Sequence, residues 1–86
     1  MLIIIFSNLT LTTKFKKLAA NRGINGVKII QTPRQISNQG CSYAVKASSN
    51  SLHELYLLMD ESALFPVAVY KAENLTKGKI SYTKIK

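Results

Sequence analysis

The stretch Val27-Lys28-Ile29-Ile30-Gln31-Thr32-Pro33-Arg34-Gln35-Ile36-Ser37-Asn38-Gln39-Gly40-Cys41-Ser42-Tyr43-Ala44-Val45-Lys46-Ala47 decides the reading of the fold. Two β-rich apolar runs, residues 27–31 and 41–47, read as strands placed back to back with only a polar connection between them. In the second run Cys41, Tyr43, Val45 and Ala47 share one face, and Ser42, Ala44 and Lys46 share the other. Within the connection, Thr32-Pro33-Arg34-Gln35 has the form of a short capping box. Thr32 stands at N-cap, Pro33 at N1, and Gln35 returns a hydrogen bond from N3. One helical turn is expected there, its free N–H groups able to face an anion. Asn38-Gln39-Gly40 is turn chemistry.

Working outward toward the start, residues 2–6 are continuously apolar, so both faces of this strand are buried and it suits the middle of a sheet. Ser7 or Asn8 can cap a helix in which Leu11, Phe15, Leu18 and Ala19 fall at helical spacing. Gly23 fits the C′ position, and Asn25-Gly26 is a turn into the strand at 27–31. Toward the other end, Ser51-Leu52-His53-Glu54 reads as a capping box opening a helix striped by Leu52, Leu55, Leu58 and Met59. Residues 65–71 read as a fourth strand with Phe65, Val67 and Val69 inward and Pro66 at its start. Beyond Glu73 the chain is rich in lysine, and Ile80 and Tyr82 alternate as a weak further strand would, a mobile tail being the other reading.

The succession is βαββαβ, which predicts an α+β domain. The economical solution is a ferredoxin-like antiparallel four-stranded sheet with two helices on one face. Right-handed crossovers place the first and third strands centrally. Residues 1–72 make this domain and 73–86 a basic C-terminal extension. The face left without helices carries Ile3, Ile5, Ile30, Ala44, Ala68 and Tyr70. An apolar sheet face in water predicts a homodimer through it.

Composition narrows the chemistry. With 86 residues the chain is one small domain. A single Cys excludes an internal disulfide, and the only His, His53, has no partner at ligand spacing, so neither a metal site nor a cofactor is expected. The apolar start is too short to cross a bilayer and lacks a basic leader, which makes a cytoplasmic location with a reduced thiol the expectation. Formal net charge is +8, from 12 Lys+Arg against 4 Asp+Glu, and draws anions such as nucleic acid, acidic proteins or phosphorylated ligands. The acidic residues are too few and scattered for paired-carboxylate catalysis.

Cys41 has two readings. A thiolate is favoured by a nearby cation and by free backbone donors, and Arg34 with the turn at Thr32-Pro33 offers both. Strand parity with Tyr43 and Val45 equally fits an inert cysteine of the core. No second cysteine is present to resolve a persulfide, so any cargo on Cys41 must leave to another molecule.

The run Thr32-Pro33-Arg34-Gln35-Ile36-Ser37, followed by Cys41 and an apolar strand, resembles the selenium/sulfur carrier-like family of small bacterial and archaeal proteins. The likeness extends from about residue 2 to residue 71. That family typically reads Thr-Pro-Arg-x-Ile/Leu-Ser and then Cys-Gly. Here Ser42 stands in place of the glycine, and Gly40 precedes the cysteine. The resemblance implies a carrier rather than an enzyme. Cys41 would accept a persulfide or perselenide, Arg34 would stabilise its anion, and Thr32, Pro33, Ser37, Gly40 and Ser42 would form the surrounding loop. A protein donor and a protein acceptor are then the partners.

The alternative is a non-enzymatic binding module for RNA, another polyanion or a protein partner. No Lys/Arg-Gly-aromatic string of the RNA-binding type occurs, and Tyr43 and Tyr70 fall on opposite predicted faces. His53, in the first turn of its helix, reads as solvent-facing.

Overall fold

The computed structural model describes residues 1–39, 42–74 and 78–85, the side chains of 37–39 excepted. In chain order the elements are β1 (Leu2–Ile5), α1 (Leu9–Asn21), β2 (Lys28–Gln31), β3 (Tyr43–Ala47), α2 (Leu52–Ser62), β4 (Ala68–Asn74) and β5 (Ile80–Lys84). Short 3₁₀ helices occupy Arg34–Gln39 and Ser49–Ser51. All strands join one antiparallel sheet in the order β2-β3-β1-β4-β5. The α+β expectation holds, and β1 and β3 lie inside the sheet. The expectation of four strands does not: the alternation at Ile80 and Tyr82 forms a fifth, paired with β4 from Asn74–Ile80 to Tyr70–Lys84.

Local chemistry explains the elements. Asn8 caps α1, its side-chain oxygen accepting from Leu11 N at 2.9 Å and supplying a partner for one of the free N–H groups of the first turn. Phe15 and Ala19 turn inward and are fully buried. Thr12 is buried with them, its hydroxyl donating to the Asn8 carbonyl at 3.0 Å, while Leu11 and Leu18 are only partly covered. Gly23 follows the last turn at φ +83°, a conformation that costs glycine little. The capping box at Ser51–Glu54 does not form. Ser48 instead caps the 3₁₀ helix, accepting from Asn50 N at 3.2 Å, and Ser51 makes no side-chain cap bond.

Both helices lie over one sheet face. Phe15 and Ala19 of α1 and Leu55, Leu58 and Met59 of α2 pack with Leu2, Ile4, Val45, Ala47 and Val69. Phe6, just past β1, stacks on Phe15 with ring centroids 5.1 Å apart and tilted by 43°, within the range of favourable aromatic pairs. An Arg22–Glu61 ion pair ties the end of α1 to α2 at the surface.

The opposite face is the main correction. Ile3, Ile5, Ala44, Ala68 and Tyr70 are between 0% and 7% exposed, and Ile30 is half-buried. They are covered within the chain: Ile36 of the 3₁₀ helix packs into this cluster, with Met1, Ile30 and Tyr82 around it. The ground for a homodimer through an open face is thereby removed.

The fourth strand also shifts. It begins at Ala68 rather than at residue 65, because β1 stops at Ile5, whose last partner is Ala68. Phe65 and Val67 share Val69's parity but lie past the paired residues, the last tie to β1 being Val67 N donating to the Ile5 carbonyl at 2.8 Å, and they are 58% and 43% exposed.

Candidate functional site

The site is the connection between β2 and β3. Their ladder runs up to Gln31 opposite Tyr43. One rung further, Thr32 N donates to the Ser42 carbonyl at 2.8 Å, closing the neck of the connection with a backbone hydrogen bond. Thr32 is buried there at 9% exposure, and Ser42 faces solvent. Past the neck, Ile36 N donates to the Pro33 carbonyl at 3.0 Å, the short-range bond of a tight 3₁₀ turn. The single helical turn expected at this motif is therefore present as the 3₁₀ helix Arg34–Gln39.

One side chain anchors the connection to the body. Ile36, 5% exposed, joins Ile3, Ile5, Ala44 and Ala68 on the helix-free face. With Ile36 inward, Arg34 and Gln35 are turned out and exposed, and Pro33 is half-buried. Among the motif residues, Thr32 and Ser42 thus hold the neck, Ile36 sets the orientation, and Arg34 stands on the exposed side of the 3₁₀ helix. Ser37 lies within the 3₁₀ helix by its backbone. Gly40 and Cys41 lie outside the described residues.

Sequence reasoning missed Ile36 as the anchor. Its signal was available, because it is the only large apolar residue between Gln31 and Cys41.

His53 is exposed in the first turn of α2, which follows β3, whereas Ser42 precedes β3. The two are at opposite ends of a five-residue strand, about 17 Å at ~3.4 Å per residue. Tyr43 shares the parity of buried Val45 and Ala47, yet it is 39% exposed where the β2–β3 ladder ends. Beside the connection is a cleft of about 550 Å³ lined by Gln35 and by Gly78, Lys79, Ile80 and Ser81. The 3₁₀ helix and the start of β5 therefore meet across the helix-free face. Among the described residues no three His, Cys, Asp or Glu side chains converge as metal ligands, and no helix is long and apolar enough to cross a membrane.

Fold and site together define a small α+β protein whose Thr-Pro-Arg connection is clasped at its neck and pinned to a sheet face by one isoleucine. Residues 1–71 match the family described as Putative Se/S carrier protein-like, and the chain belongs to that family. β5 lies beyond the matched span. No curated protein and no solved structure matches the chain.

Proposed function

We propose that this chain carries sulfur or selenium on Cys41 and hands it to a protein partner. In loading, the Cys41 thiolate attacks the outer sulfur of a donor persulfide. A Cys41 S–S bond forms, the donor's S–S bond breaks, and the donor leaves as a thiolate with the electron pair. In unloading, an acceptor thiolate attacks that same outer sulfur and Cys41 departs as a thiolate. The two steps are one exchange run in opposite directions, so no oxidant or reductant is consumed. A perselenide follows the same course with selenium as the outer atom.

The family match over residues 1–71 carries this reading. The site geometry supports it: the closed neck and the buried Ile36 fix the connection, and exposed Arg34 offers a cation that favours a thiolate over a thiol. The backbone donors of Ser37, Gly40 and Ser42 would complete the anion's surroundings, with Thr32 holding the neck through its own N–H and Pro33 setting the turn. A lone cysteine fits a carrier that releases its cargo to another chain, in a reducing compartment such as the cytoplasm. The order β2-β3-β1-β4 supports a ferredoxin-like arrangement extended by one strand.

The test is the rate of Cys41 alkylation by iodoacetamide across about pH 5–9. The native chain should react faster near neutrality than the denatured chain, and Arg34→Ala should lose that advantage. A thiol that reacts only after denaturation, or at the same rate with and without Arg34, refutes the mechanism.

A further inference from the structure

The register of the sheet places three lysines in one row. Lys28 is opposite Lys46, Lys46 opposite Ile3, Ile3 opposite Tyr70, and Tyr70 opposite Lys84. Directly opposed residues project from the same side of a sheet, so this row crosses all five strands on the helix-free face. End to end it spans four strand spacings, about 19 Å. Its middle members, Ile3 and Tyr70, are covered, while the three lysines are exposed.

No carboxylate side chain balances the row. Of the four acidic residues, Glu54, Asp60 and Glu61 belong to α2, over the other face. Glu73 alternates with Lys71, which stands opposite Leu2 of the helix-side core, and pairs with that lysine at 3.5 Å. Among the described residues none of the three row lysines is in an ion pair. Lys79 adds a cation at the cleft it shares with Gln35, and Arg34 precedes Gln35 in the 3₁₀ helix. Like charges directly opposed across strands, as at Lys28 and Lys46, weaken a sheet. Stability therefore does not account for the row.

We propose that this lysine row is the docking surface for an acidic protein partner. Resting on the carrier reading, we infer that the partner is the protein that delivers or receives the cargo. Ile36 pins the 3₁₀ helix Arg34–Gln39 to the same side of the sheet, so a partner held on the row lies beside that helix. The side chains favour carboxylates over nucleic acid. The two tyrosines on this side, Tyr70 and Tyr82, are buried and half-buried, which leaves no open ring for a base to stack on. Lysine rows of this kind accelerate and orient encounter with an oppositely charged surface.

The probe is fluorescein-labelled poly-L-glutamate, with an oligouridine of equal charge as the competing ligand. Anisotropy is read between about 50 mM and 500 mM salt. Three proteins are compared: the native chain, the triple variant Lys28→Gln/Lys46→Gln/Lys84→Gln, and Lys14→Gln/Lys16→Gln/Lys17→Gln, which removes the same charge from α1. The row variant should bind polyglutamate about tenfold more weakly, and the α1 variant no more than about twofold. Equal losses in both variants, no polyglutamate binding at low salt, or tighter row-dependent binding of oligouridine would each overturn the proposal. Cys41 alkylation on the same proteins separates the two hypotheses. A native chain that binds no polyglutamate yet keeps a reactive thiol refutes the row alone, and a native chain with an inert thiol and row-dependent docking intact refutes the carrier reading alone.

Discussion

Ile36 is the residue on which the placement of the motif rests, and Ile36→Ala measures how firmly. The substitution removes about three carbon groups from a 5%-exposed side chain, worth roughly 2.4 kcal/mol at ~0.8 kcal/mol each. The cavity left behind raises such losses to about 2–5 kcal/mol in well-fixed cores. The low end applies here, because the 3₁₀ helix has exposed residues on its outer side and can settle inward. We therefore expect about 2.5 kcal/mol. For 86 residues the unfolding entropy is ~0.18 kcal/mol/K, so the melting temperature should fall by about 14 °C. Urea titration followed by circular dichroism reads the loss directly, with Leu57→Ala, 43% exposed on α2, as a control expected within about 0.5 kcal/mol. An Ile36→Ala variant no less stable than that control would mean that the side chain is not in the core and that nothing holds the connection against the sheet.

Two further predictions test the helix ends by the same titration. Asn8→Ala should cost about 1 kcal/mol by losing the bond to Leu11 N, whereas Asn8→Asp, which keeps an acceptor at a helix start, should stay near native; equal losses would remove the capping account. Ala63 closes α2 at φ 57°, a left-handed conformation that its Cβ disfavours, so Ala63→Gly should gain about 0.5 kcal/mol after the entropy of the unfolded glycine is set against the relieved strain. A loss of stability would show that the alanine methyl is packed, not strained.

Where side-chain spacing alone sets an element, the sequence was readable. The Asn8 cap, the inward Phe15 and Ala19, the Leu55–Leu58–Met59 stripe and the alternation at Ile80 and Tyr82 are local patterns, and each corresponds to an observed feature. What failed depended on distant partners. The alternation of Phe65, Val67 and Val69 is genuine, but only β1's length determines which of them has a neighbour. The covering of the second face rests on Ile36, an isolated apolar residue in a turn, which no periodicity can mark as core. Ser51 lost its capping role to Ser48 because a 3₁₀ turn precedes α2. At the site, the closing of the neck followed from two strands meeting at Thr32 and Ser42, whereas the outward turn of Arg34 depends on the inward turn of Ile36 two residues later.

The outermost strands carry a consequence of their own. β2 and β5 leave unpaired backbone groups along both rims of the sheet, which invite a strand from another molecule. β2 offers only four residues, beginning at Lys28, and β5 ends on Lys84, both ammonium groups in open water. An intruding strand would have to lie alongside these hydrated charges, and a second copy of this chain would bring more of the same sign. The lysines at the rims thereby discourage aggregation by strand addition.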